Sequence, residues 1–110
     1  MIEDTVSKIE ERIRNVSRID DQKKGELLKL VRELSEEVSE LAKTRSEQAE
    51  SISRFTEVST HEAVREEQDP DLLKLGLDGL ARSVEGFEVE HPRLVEAVNS
   101  LCMMLSGIGI

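Results

Sequence analysis

Aromatic side chains are nearly missing from this sequence of 110 residues, which holds no Trp, no Tyr and only Phe55 and Phe87. Base-stacking platforms and aromatic cages need several rings, so both are excluded. Cysteine is limited to Cys102, which rules out an intramolecular disulfide and a small fold held together by such bridges. The two histidines, His61 and His91, stand in no metal-site spacing with each other or with Cys102, so no metal and no cofactor is expected. Long apolar runs are missing too. The longest uncharged stretch, Ala97 to Ile110, is too short to cross a bilayer as a helix. Met1-Ile2-Glu3-Asp4 lacks the basic flank and apolar run of a signal peptide, and a cytoplasmic location is expected.

Bases are in deficit, with 15 Lys and Arg against 24 Asp and Glu for a formal net charge of -9. Residues 1–24 balance six acids with six bases, so the deficit lies beyond them. A surface that neutralises phosphates or anionic lipid needs clustered cations. The local excess at Arg12, Arg14, Arg18, Lys23 and Lys24 is interleaved with Asp20 and Asp21 and reads as a solvated face, an acidic partner being the lesser alternative. No nucleic-acid partner is expected.

What the chain does have is helical periodicity, which predicts an all-α fold. Apolar residues recur in alternating steps of four and three, the spacing that keeps one stripe of a helix against a partner. Ile2, Val6, Ile9, Ile13 and Val16 define a helix over about residues 2–16. The stripe loses phase between Ser17 and Asp21, where three side-chain oxygens offer caps for a new helix. Leu27, Val31, Leu34, Val38 and Leu41, widened by Leu28, Leu30 and Ala42, then form the broadest apolar face in the chain. Residues 43–51 are polar apart from Ala49, and no Pro or Gly interrupts residues 26–69. One continuous helix over about 20–66 is therefore expected, roughly 70 Å long at 1.5 Å per residue, with two helices joined by a polar linker as the alternative.

Both prolines follow a residue suited to helix entry, Asp69-Pro70 and His91-Pro92. Proline suits the first helical position and biases the residue before it away from helical angles. Further helices are placed at about 70–89 and 92–106, with Gly107 as a left-handed terminator. The predicted architecture is a single domain, an antiparallel helical bundle or coiled-coil hairpin built on the long central helix. Its predicted core is Ile9, Ile13, Leu27, Val31, Leu34, Val38, Leu41, Leu94, Val98, Leu101 and Leu105. Beyond Lys43 only two helices would remain side by side, and two helices cannot cover a broad stripe on each. Phe55, Leu72, Leu73, Leu77, Leu80 and Val84 would thus form the interface of a two-fold homodimer.

Other constellations have two readings each. Glu36 and Glu40 share a helical face but fall on its polar side, away from any pocket that would tune a carboxylate. Serines abound, yet no nucleophile elbow or glycine-rich loop holds one, and no catalytic residue is assigned. Gly76, Gly79 and Gly86 signal close helix approach or a hinge at a partner surface, or else a helix that packing stabilises despite them. Met103, Met104, Leu105, Ile108 and Ile110 make an apolar end that either closes the core or forms an adaptable groove.

The segment Phe87-Glu88-Val89-Glu90-His91-Pro92-Arg93-Leu94, followed by Val98, Leu101, Leu105 and Gly107-Ile108-Gly109-Ile110, resembles a bacterial domain-of-unknown-function family. Its members are short helical proteins ending in Phe-Glu, His-Pro-x-Leu and a terminal Gly-Ile. The resemblance extends to the first 42 residues by pattern, while residues 43–69 look longer than that family's norm. It implies a helical fold and bacterial origin and brings no activity with it. The expected function is that of a non-enzymatic, dimeric interaction or scaffold protein, with itself and an unidentified protein as partners. The alternative is a peripheral membrane or stress-associated factor using the apolar C-terminal end.

Overall fold

Two aspartates set where helices begin. Asp20 Oδ1 accepts a hydrogen bond from the Lys23 amide at 2.8 Å, and Asp69 Oδ1 accepts from the amides of Asp71 and Leu72 at 3.1 and 3.2 Å. Each satisfies donors that a helix N-terminus leaves without an intrahelical partner. Pro70 and Pro92 open their helices, where the missing amide hydrogen costs nothing. The computed structural model describes residues 2–108 and contains α1 (Ile2–Asn15), α2 (Asp21–Ala42), α3 (Ser46–Val64), α4 (Pro70–Ser83) and α5 (Pro92–Ile108). No strand occurs among the described residues.

The long central helix is not there. Lys43 to Arg45 break it into α2 and α3, and the molecule measures 38 × 25 × 21 Å, so no arm projects. The break contains no helix-breaking residue; packing causes it. A straight α3 would hold Ala49, Ile52, Ser59, Thr60 and Ala63 in solvent, whereas folding back buries all five. Helical propensity through Lys43, Thr44 and Arg45 is a weak force beside the burial of a whole helix face.

The third predicted helix is also shorter than expected, ending at Ser83 rather than near residue 89. Gly86 takes φ +92°, a left-handed conformation open to glycine at little cost, and turns carry the chain through Glu90. Gly107, by contrast, does not terminate α5 in a left-handed conformation, because the helix continues through Ile108. Ile110 lies outside the described residues.

α3 is the central element, packed against all four other helices. α1 lies on α2 and α3, while α5 lies on α2, α3 and α4. The eleven positions expected in the core are all buried, joined by Val16, Ile19, Ala49, Ile52, Ala63, Leu73, Leu80, Val84 and Phe87. The inward face of α3 is unusual in carrying Thr56, Ser59 and Thr60. Thr56 Oγ1 donates back to the Ile52 carbonyl at 2.7 Å, but Ser59 Oγ and Thr60 Oγ1 are buried with no hydrogen-bond partner. The small Ser59 lets α4 approach closely: a Cβ at Gly76 would stand 3.0 Å from Ser59 Oγ and 3.3 Å from its Cα.

An unpartnered buried hydroxyl costs about 1–3 kcal/mol, and valine has nearly the shape of threonine. Thr60→Val is therefore expected to raise unfolding stability by about 1 kcal/mol in urea titration. Gly76→Leu, which forces α4 off α3, is expected to lower it by at least about 2 kcal/mol.

Candidate functional site

Four of the six large exposed apolar residues among the described residues lie along the outer seam between α3 and α4. The two helices are antiparallel, since Gly76 faces Ser59 and Gly79 faces Phe55. The Phe55 ring lies directly over Gly79, where a Cβ would meet ring carbons within 3 Å. Phe55 and Val58 are three residues apart on α3, and Leu72, Leu75 and Gly79 recur at helical spacing on α4, so each set occupies one face. Exposure is 38% at Phe55, 48% at Val58, 42% at Leu72 and 66% at Leu75. Other large exposed apolar residues, Val89 and Met103, lie on separate elements.

The six residues expected at a partner interface are thus divided. Phe55 and Leu72 remain on the surface, and Leu77 is half-buried against the core. Leu73, Leu80 and Val84 are buried within the chain itself, because α3 and α5 cover the face of α4 that a free arm would have exposed. Val58 and Leu75 also belong to the exposed seam and were not among the six positions expected there.

Both α3 and α4 carry charges of both signs. Arg54 on α3 pairs with Glu50 at 2.6 Å, and Arg65 just beyond α3 pairs with Glu62 at 2.8 Å. That contact holds the Arg65 guanidinium more firmly protonated than usual. On α4, Asp71 and Asp78 make no ion pair among the described residues.

A second recess, a groove of about 530 Å³, lies between α1 and the end of α3 and is lined by Lys8, Glu11, Arg12, His61, Arg65 and Glu66 among others. The Arg12 guanidinium donates to His61 Nδ1, and His61 Nε2 stands 3.9 Å from Glu62 Oε2. Of the lining residues, Lys8, Arg12 and Arg65 stand against Glu11 and Glu66, and Arg65 is already paired with Glu62. Nearby, Arg18 donates to the carbonyls of Ala63 and Ile108, holding the ends of α3 and α5 together. Lys24 Nζ donates to the Arg14 carbonyl, and Arg14 pairs with Glu10. Much of the basic cluster near the N-terminus is therefore spent on helix ends.

The remaining candidates have structural settings. Glu40 pairs with Lys43 at 3.0 Å, and Glu36 is exposed. His91 meets Phe87 edge-on, with ring centroids 5.7 Å apart, and the Arg45 guanidinium lies over the same Phe87 ring. No group of three or more His, Cys, Asp or Glu suited to a metal ion occurs among the described residues. At the C-terminal end Leu105 is buried, Met104 and Ile108 pack partly against the core, and Met103 is exposed. Cys102 is half-buried, and that burial pushes its thiol above the ordinary value of 9.0. No described helix is long and apolar enough to cross a membrane.

Four helices packed on a fifth, central one, with an apolar seam and no gathered set of reactive groups among the described residues, define the class as an all-α helical bundle. The chain belongs to the family described as Domain of unknown function (DUF4404), whose model matches residues 2–110. The match spans residues 43–69, which resemblance alone had set apart as longer than the norm. No curated protein and no solved structure matches the chain.

Two outcomes follow from these contacts. Arg18→Ala removes a cation from two helix C-termini and is expected to cost about 1–3 kcal/mol by thermal or urea unfolding. Because folding raises the Cys102 pKa, its contribution to stability is complete below the unfolded thiol's pKa and is lost as pH rises through the folded value. Alkylation of Cys102 at neutral pH is accordingly expected to be slower in the native protein than in urea, and stability is expected to fall above about pH 9 less in Cys102→Ala than in the parent.

Proposed function

We propose that this protein is a non-enzymatic, cytoplasmic helical interaction protein that acts as a homodimer, with the outer α3–α4 seam as its self-complementary surface. The supporting observation is the set of Phe55, Val58, Leu72 and Leu75, exposed together along one seam of an otherwise highly charged chain. Burying each such side chain is worth roughly 1.5–3 kcal/mol, and contiguous apolar surface of this kind marks interaction sites. A two-fold pairing of two α3–α4 hairpins makes a four-helix layer.

The bordering charges favour a second copy as the occupant. α3 brings Arg54 and the following Arg65 to its side of the seam, while α4 brings the unpaired Asp71 and Asp78 to the other. When α3 of one chain faces α4 of its copy, Asp71 and Asp78 can share Arg54 and Arg65 with Glu50 and Glu62 of that copy. Such rim pairs set orientation more than affinity. The dimer originally expected from a projecting arm had the same helices but a different cause, and only its surface half survives in this proposal.

The alternative, a membrane-associated factor working through the C-terminal end, has less behind it, since most apolar side chains described there are turned to the core. Light scattering at micromolar concentration is expected to give a dimer for the parent chain. Leu75→Lys or Phe55→Lys is expected to raise the dissociation constant by at least about 30-fold, the equivalent of losing one buried apolar side chain, with helical circular dichroism unchanged. A parent chain that remains monomeric at these concentrations overturns the proposal.

A further inference from the structure

The turn between α2 and α3 is built from residues that would all accept a helix. Lys43 is already helical, with φ −63° and ψ −29°. The Arg45 amide still donates to the Leu41 carbonyl at 2.8 Å, the ordinary helical partner four residues back. The chain bends at Arg45, whose φ −138° and ψ 70° lie outside the helical region. From there the Ala49 amide donates to the Arg45 carbonyl at 3.0 Å, and α3 is under way.

This bend leaves α3 with an open N-terminus. Arg45 provides no side-chain cap, in contrast to Asp20 and Asp69 at the starts of α2 and α4. The amides of Ser46, Glu47 and Gln48 belong to the first turn and have no intrahelical acceptor. Rotating Arg45 into the helical region would give them the carbonyls of Ala42, Lys43 and Thr44, and α2 and α3 would become one helix.

Opening the bend separates the chain into two halves that are each internally packed. α1 and α2 contact one another, and α3, α4 and α5 contact one another. The contacts that cross between halves are α1 with α3, α2 with α3 and α2 with α5. All three can be remade with the complementary half of a second chain, and only the Lys43–Arg45 connection changes conformation.

We propose that the protein also forms an exchanged dimer, in which α2 and α3 run on as one helix through Lys43–Arg45 and each α1–α2 half packs on the α3–α5 half of a second copy. Such exchange is an inexpensive route to dimers because the interface already exists within the monomer. The new contact is where the two long helices cross. An antiparallel crossing at Arg45 sets Lys43 of each chain opposite Glu47 of the other, one pair on each side of the axis. This dimer is distinct from association through the α3–α4 seam, which joins closed chains and leaves Arg45 bent.

The test uses the full chain carrying Leu75→Lys, so that the seam contributes nothing. After refolding at hundreds of micromolar, light scattering is expected to show a dimer that persists for hours on dilution, because dissociation requires the halves to part. Small-angle scattering is expected to give it a longest dimension beyond roughly 60 Å, as a helix from Asp21 to Val64 demands. Ser46→Pro suits the first position of α3 in the closed chain but sits inside the continuous helix. It is expected to reduce the dimer roughly 100-fold without loss of helicity. Should that variant fail to fold, Arg45→Gly, which weakens a helix and tolerates the bend, is expected to reduce the dimer by about fivefold. Failure to form any slowly dissociating dimer, or a dimer indifferent to these hinge substitutions, overturns exchange while leaving the seam proposal standing.

Discussion

Four helices reach α3 because its surface is thin where they meet it. Ala49, Ser59, Thr60 and Ala63 are buried there, and Gly76 on α4 meets Ser59 from the other side, while Gly79 makes room for the Phe55 ring. Larger residues at these points would hold the neighbouring helices away. The arrangement has a cost, since Ser59 and Thr60 bury hydroxyls without partners. Close packing over a whole helix offsets it, gaining many small dispersion contacts in place of a few large apolar side chains. The remaining helices supply the bulk: Ile9 and Ile13 from α1, Leu34 and Leu41 from α2, Leu80 from α4, and Leu94, Leu101 and Leu105 from α5.

Once α3 is the centre, the ends of the helices must be managed close together. Arg18, in the connection between α1 and α2, reaches the carbonyls of Ala63 and Ile108 and so joins three parts of the chain at one point. At the opposite turn, Arg45 covers the Phe87 ring, which is itself buried beside His91. Basic residues in this acidic protein therefore close helix ends and cover apolar edges. The outer face of α3 and α4 keeps four of the six large exposed apolar side chains among the described residues.

The legible part of this fold is the part written in large apolar residues. The stripe of α2 from Leu27 to Leu41 and that of α5 from Leu94 to Leu105 are strictly periodic, and both are buried. The helix starts at Asp20, Pro70 and Pro92 follow from capping and proline chemistry. The break at Lys43–Arg45 is marked in the sequence only by a polar run that allows a linker, because no local helix breaker produces it. It follows from the need to cover α3, whose inward residues are threonine, serine and alanine, too small and too polar to stand out as a core stripe. For the same reason Leu73, Leu80 and Val84 read as lacking a partner within the chain, whereas they are buried in it.

A central helix whose buried face is small and polar also explains why association is the function to test. Such a helix depends on its neighbours for burial, and its one uncovered flank, at Phe55 and Val58, is continuous with the exposed Leu72 and Leu75 of α4. The measurement that bears most directly on this account is residue-resolved amide hydrogen exchange. With α3 at the centre, the amides from Ile52 to Ala63 exchange most slowly in the chain, at the rate of global unfolding. If instead those amides exchange as fast as the exposed turns, while α2 and α5 stay protected, α3 is a peripheral helix and the account is wrong.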